Sequence, residues 1–139
     1  MADRPAIRVL IVDDNELWCL FLSAMVADDP KMVVVGEAID GAECVQLAQQ
    51  LQPDLILLDI GLPSLDGIEA ARQIASVSPQ SKIIFVTQEP DDEVRQAALR
   101  SGAHGFVLKS DVISDLRPAI DAALTGDRFS PESPSLPQN

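Results

Sequence analysis

The sequence is poor in basic and aromatic residues. Among its 139 residues there is no tyrosine, one tryptophan (Trp18), one histidine (His104) and four phenylalanines. Ten lysines and arginines stand against 22 acidic residues, for a formal net charge of −12. Binding to DNA, RNA or an anionic membrane needs a basic face, so these are excluded as direct partners. A cation site or a basic protein partner suits the charge. The two cysteines, Cys19 and Cys44, lack metal-ligand spacing and read as small reduced hydrophobes. No run approaches the roughly 20 apolar residues needed to span a bilayer. The N-terminal run Ile7–Val12, broken by Arg8 and followed by acids, is too short for a secretory leader. The expected location is the cytoplasm.

What the chain does have is apolar residues, 47% of the total, enough for one domain with one core. They fall in short runs rich in Val, Ile and Leu: Ile7–Val12, 33–35, Leu55–Leu58, 83–86 and 106–108. Runs without alternation suit strands covered on both faces. Between them lie stretches with helical spacing. In 16–28, Leu17, Leu20, Phe21, Ala24 and Met25 form the expected core stripe. Gly41–Leu51 follows Asp40, an N-cap candidate. In 67–76 the spacing is carried by Ile68, Ala71 and Ile74. In 91–101 it is carried by Val94, Ala97, Ala98 and Leu99, with Gly102 as the residue past the end. In 111–125 it is carried by Ile113, Leu116, Ile120 and Leu124, with Pro118 expected to bend the helix or move its start to near Ser114. This βα alternation predicts an α/β fold: a flavodoxin-like, three-layer (βα)5 sandwich with a five-stranded parallel sheet in the order 2-1-3-4-5. The domain is expected over 1–126. Residues 127–139, with Pro131, Pro134 and Pro137, read as a disordered tail or the start of a linker.

The polar residues at the strand ends carry the chemistry. Asp13 and Asp14 end the first strand, Asp59 the third, Thr87 the fourth and Lys109 the fifth. In a parallel sheet these ends share one edge, and ligands bind there, where the strand order reverses. Each residue alone has a plainer reading. Asp13 or Asp14 could cap the first helix, Asp59 could be a loop residue, Thr87 an ordinary strand residue and Lys109 a solvated surface lysine. Jointly, an acidic pair, an acid, a hydroxyl and a lysine at four strand ends point to phosphoryl chemistry. Three close carboxylates repel one another, and a divalent cation relieves that cost. An all-oxygen site suits Mg²⁺, with Mn²⁺ as the substitute. A carboxylate is a competent nucleophile toward phosphorus.

The stretches 9–15 (VLIVDDN), 57–67 (LLDIGLPSLDG) and 102–109 (GAHGFVLK) resemble the receiver family of two-component signalling, across about residues 6–126. The resemblance implies that Asp59 is the phosphoacceptor. It implies that Asp14, Asp59 and the Gly61 carbonyl ligate Mg²⁺, with Asp13 helping indirectly through water or Lys109. It makes Lys109 and Thr87 the groups that meet the phosphoryl oxygens, and Phe106 the aromatic switch, which could also be plain core. The implied phosphodonor is a sensor histidine kinase or a phosphotransfer protein. The implied output is a repacked surface around the fourth helix, fifth strand and fifth helix. On this reading the chain is a signalling domain and no enzyme beyond assisting its own phosphorylation and dephosphorylation.

Residues 60–76 and 122–131 resemble the NarL/FixJ type of response regulator, in which a helix-turn-helix DNA-binding domain follows. Output through such a domain and output by protein contact both stay open. Gln88, where many receivers have a smaller residue, is expected to crowd the mouth of the phosphate pocket. Trp18, Leu22 and Val26 form a second apolar stripe on the first helix. It is either a wide core face or a docking surface for a kinase helix pair or a second receiver, the latter giving a homodimer on phosphorylation. Two alternatives are weaker. A phosphatase of the haloacid dehalogenase type wants an acid two residues after its nucleophile, where Gly61 stands. A flavin module wants a phosphate-cradling loop where Asp13 and Asp14 stand.

Overall fold

The computed structural model describes residues 6–88 and 91–130. Five strands alternate with five helices in chain order: β1 (Ile7–Val12), α1 (Glu16–Ala27), β2 (Met32–Ala38), α2 (Gly41–Leu51), β3 (Leu55–Leu58), α3 (Gly67–Val77), β4 (Lys82–Thr87), α4 (Asp92–Arg100), β5 (Gly105–Leu108) and α5 (Val112–Leu124). A 3₁₀ turn, Lys109–Asp111, leads into α5. The sheet is parallel, in the order β2-β1-β3-β4-β5, as the βα rhythm predicts.

Because side chains alternate across a strand, each strand feeds two cores. Val9, Ile11, Leu55, Leu57, Ile84, Val86 and Val107 point to one face, where Leu22 and Val26 of α1 and Leu116 and Ile120 of α5 cover them. Leu10, Val12, Ile56, Leu58, Ile83, Phe85 and Phe106 point to the other, under Cys44 and Ala48 of α2, Ile74 of α3 and Ala98 of α4. Burial on both faces is why the strand sequences lack a polar alternation. The caps follow the polar punctuation. Asp40, Asp66 and Asp91 accept from backbone N–H groups at the starts of α2, α3 and α4. Past the end of α4, Gly102 adopts φ 101°, which L residues rarely do.

Three expectations are corrected. Most of the predicted core stripe of α1 faces solvent: Leu17 is 74% and Leu20 65% exposed and Phe21 is exposed with them, while Met25 packs partly buried against the core. The helix instead buries Cys19, Leu22 and Val26, so Leu22 and Val26 are core and no part of a docking surface. The helix is apolar nearly all round, so spacing alone permits either face. In α5 the helix starts at Val112 rather than near Ser114, and Ile113 is 79% exposed while Val112, Leu116, Ala119, Ile120 and Ala123 face the core. Pro118 stays within the helix, on its exposed side. Finally, ordered pairing continues past 126. Phe129 bridges in parallel to Gly105, Phe106 N–H donates to the Phe129 carbonyl at 2.9 Å, and Phe129 N–H donates to the His104 carbonyl at 3.0 Å. Arg95 of α4 adds a 2.9 Å hydrogen bond to Ser130 Oγ. His104 is half-buried beside this pairing. The tail expected over 131–139 lies outside the described residues.

Candidate metal and phosphoacceptor site

The sheet register sets the site. Val12 pairs with Leu58, so the next residues, Asp13 and Asp59, leave adjacent strands side by side, and Asp59 N–H donates to the Val12 carbonyl at 3.0 Å. Thr87 pairs with Leu108, which places Lys109 just beyond the end of β4. Asn15 caps α1, accepting from Trp18 N–H at 3.1 Å, so neither Asp13 nor Asp14 is spent on capping.

Oxygen atoms of Asp13, Asp14 and Asp59 lie within 4.8 Å of one another. Asp13 and Asp59 are buried and Asp14 is exposed at the rim. Lys109, which alone reads as a surface lysine, is also buried: its Nζ lies 2.7 Å from Asp13 Oδ2 and 3.5 Å from Asp59 Oδ2. The shorter contact is a charge contact without directed hydrogen-bond geometry, for Asp13 Oδ2 has no hydrogen-bond partner. The other oxygen, Asp13 Oδ1, accepts from Asn15 N–H at 2.9 Å. Asp59 Oδ1 accepts from Ile60 N–H at 2.8 Å, which leaves Oδ2 turned toward Lys109. Burial holds the Asp59 carboxyl above its ordinary range, with Lys109 pulling it down and Asp13 pushing it up.

These groups open onto a cavity of about 410 Å³, whose wall also includes Gly61, Thr87, Gln88 and Trp18. The structure thus brings Asp13, Asp14, Asp59, Gly61, Thr87, Gln88 and Lys109 into one cavity. Phe106 is buried behind it, in the core under α4. Gly67 shapes the loop: a Cβ there would stand 2.1 Å from the Asp59 carbonyl oxygen, so the loop after β3 closes only over glycine. Sequence reasoning gave Trp18 no place in the site. Its ring stands over Lys109 Nζ, 4.9 Å from the ring centroid, a contact that pairs separate elements and leaves no local signal.

The donor set fits a hard divalent cation. It is all oxygen, carries three carboxylates against one lysine, and includes a buried carboxylate oxygen lacking a directed donor. No helix among the described residues is long and apolar enough to cross a membrane.

Comparison with known proteins agrees with this geometry. The response regulator receiver domain family matches residues 9–121. The transcriptional regulatory protein LiaR of Bacillus subtilis is 40% identical over 121 residues, covering 87% of this chain and 57% of LiaR. The chain thus spans little more than half of that relative's length. Among solved structures, a LuxR-family two-component response regulator from Aurantimonas superposes with a TM-score of 0.85 at 32% identity, covering 93% of this chain and 91% of that one. The signal receiver domain of the NarL response regulator from Mycobacterium tuberculosis superposes with a TM-score of 0.83 at 28% identity, covering 88% and 99%. The fold, the acidic cavity at the strand ends and the match over most of the chain agree, and the chain belongs to the response regulator receiver domain family.

Proposed function

We propose that this chain is a phosphorylation switch that takes a phosphoryl group on Asp59 from a sensor histidine kinase or a phosphotransfer protein. The observation that carries the reading is the meeting of Asp59 Oδ2 with the buried ammonium of Lys109 inside a cavity lined by two further carboxylates. The Asp59 carboxylate attacks phosphorus, the bond to the donor imidazole nitrogen breaks, and the nitrogen keeps the electron pair. Asp14, Asp59 and the Gly61 carbonyl would hold Mg²⁺, with Asp13, paired to Lys109 at 2.7 Å, helping indirectly. When bound, that ion neutralises charge on the transferring phosphoryl group. Lys109 supplies the fixed positive charge, and the Ile60 N–H keeps Asp59 oriented. The Thr87 hydroxyl donates to a phosphoryl oxygen once the group is attached.

Output follows from two elements on adjacent strands. Phe106 sits two pairs before the Thr87–Leu108 pair on β5, beneath α4. Recruitment of Thr87 toward the phosphoryl group shifts the balance between two packings of Phe106, and with it the surface of α4, β5 and α5. LiaR is named as a transcriptional regulatory protein. Output through a C-terminal DNA-binding domain is therefore the favoured course, with direct protein contact as the other. The match to receivers over residues 9–121 gives the phosphatase reading no support.

Docking of the kinase is assigned to the exposed stripe Leu17, Leu20 and Phe21, in which Leu17 and Phe21 share a hollow with Trp18 of the cavity wall and Phe21 shares a groove with Ile113. An apolar patch of this kind on an acidic domain marks an interface. Incubation with a small phosphodonor tests the proposal. The parent should gain the mass of one phosphoryl group only when Mg²⁺ is present, and Asp59→Asn should gain none. Equal gain by Asp59→Asn would refute it.

A further inference from the structure

Among the described residues, the Lys109 ammonium forms ion pairs with Asp13 and Asp59. Its ammonium faces Asp13 at 2.7 Å and Asp59 at 3.5 Å, while the cavity beyond is open to water. A strongly hydrated head on a flexible four-carbon stem swings toward water where a path is open. The indole of Trp18 lines the same cavity, with Lys109 Nζ over its face at 4.9 Å from the centroid, inside the range of a cation–π contact. The indole is itself braced. Phe21 packs edge-on against the ring at 5.4 Å between centroids and 89° between planes, and the Trp18 backbone N–H, donating to the Asn15 cap at 3.1 Å, fixes the start of the helix that carries it.

We propose that Trp18 is a positioning residue of the phosphoacceptor site, its indole face holding the Lys109 ammonium inside the acidic cavity. The inference rests on the receiver reading and deepens it. An aromatic face suits this task where a carboxylate would not. It attracts the ammonium without adding negative charge to a site that already has three acids, and it does not compete for a divalent cation. When Asp13 and Asp59 share their charge with such a cation, their grip on Lys109 weakens, and the indole's does not. Trp18 is therefore set to matter most during transfer.

Two measurements decide it. The first needs neither metal nor donor. Protons above an aromatic face are shielded, so the ε-methylene protons of Lys109 should resonate upfield in the parent, remain so in Trp18→Phe, and move downfield in Trp18→Leu. Equal shifts in the parent and Trp18→Leu would overturn the proposal. The second is the rate of phosphate incorporation from acetyl phosphate with Mg²⁺. Trp18→Leu should slow it roughly 3- to 30-fold, the range a cation–π contact supports, and Trp18→Phe should recover most of the loss. In a Lys109→Met background Trp18→Leu should change nothing further, because its partner is gone. A full additional loss there would assign Trp18 a merely structural role and overturn the proposal. Should Lys109→Met not fold, the proton shifts of the three Lys109-containing proteins decide alone. A parent that takes no phosphate would sink the receiver reading instead, and the proton shifts would still decide whether Trp18 holds Lys109.

Discussion

Replacement of Lys109 by Met probes how the acidic cavity is held together. Among the described residues, the lysine is the one cation against both Asp13, at 2.7 Å, and Asp59, at 3.5 Å. At an effective dielectric constant of about 20, those separations correspond to roughly 6 and 5 kcal/mol of attraction, before the cost of desolvating the ions is subtracted. Methionine fills similar volume but leaves two buried carboxylates without their cation, and breaking a buried pair in this way costs about 3–5 kcal/mol. With an unfolding entropy of about 2.1 cal/mol/K per residue over the 139 residues, Tm should fall by about 10–17 °C at pH 8 without Mg²⁺. The deficit should depend on pH in a definite direction. Burial already raises the Asp59 carboxyl above its ordinary value, with Lys109 pulling it down. Without Lys109 it rises further. A carboxyl whose folded value lies above its unfolded one binds its proton more tightly when folded. Stability is therefore regained as pH falls toward that folded value and is lowest above it. The gap between Lys109→Met and the parent should narrow from about pH 8 to about pH 5, and Mg²⁺ should narrow it at pH 8. Circular dichroism melts read all three effects. A variant melting within about 3 °C of the parent at pH 8 would refute this electrostatic picture of the cavity.

Other outcomes are equally definite. Gly67→Ala should cost more than about 3 kcal/mol in urea unfolding, because its Cβ would meet the Asp59 carbonyl oxygen at 2.1 Å; a near-neutral result would mean that the loop after β3 yields easily. Burial pushes the Cys19 thiol up to about 11 and Cys44 to about 12. Both should resist iodoacetamide at pH 8 until urea unfolds the chain, and stability should decline as pH rises above 9, where the unfolded thiols ionise first. Leu20→Glu should cut phosphate transfer from the cognate kinase about tenfold or more while leaving the rate with acetyl phosphate unchanged; loss of both would place Leu20 in the fold rather than at the docking face. Gln88→Ala should speed phosphorylation by small donors, since Gln88 stands in the cavity wall, and an equal rate would remove its gating role.

The sheet and most of the cavity were legible because their signals are local. Uninterrupted apolar runs mark two-faced strands, and a parallel sheet sends every strand end to one edge, so Asp13, Asp59, Thr87 and Lys109 could be grouped before any coordinate was known. Strand β2 is longer than its apolar run suggests. Gly36 fits where Leu51 and Leu10 leave little room for a side chain, and Glu37 reaches outward to Ser23 at 3.0 Å. The buried face of α1 was not legible, since Leu17 and Leu20 satisfy the helical spacing as well as Cys19, Leu22 and Val26 do. What decides is packing against the strand face that carries Val9, Ile11 and Leu57, a tertiary fact. The contact of Trp18 with Lys109 and the pairing of Phe129 with Gly105 likewise join distant parts of the chain. In the second case a proline-rich stretch begins two residues later and hides the pairing.

The central claim is that the carboxyl at the end of β3 receives the phosphoryl group. Borohydride reduction of the phosphorylated protein, followed by peptide mapping, tests it most directly, because an aspartyl phosphate is reduced to homoserine at the position that carried it. Conversion at Asp59 alone is the predicted result. Conversion at Asp13 or Asp14, or none in a protein that holds phosphate, would contradict it.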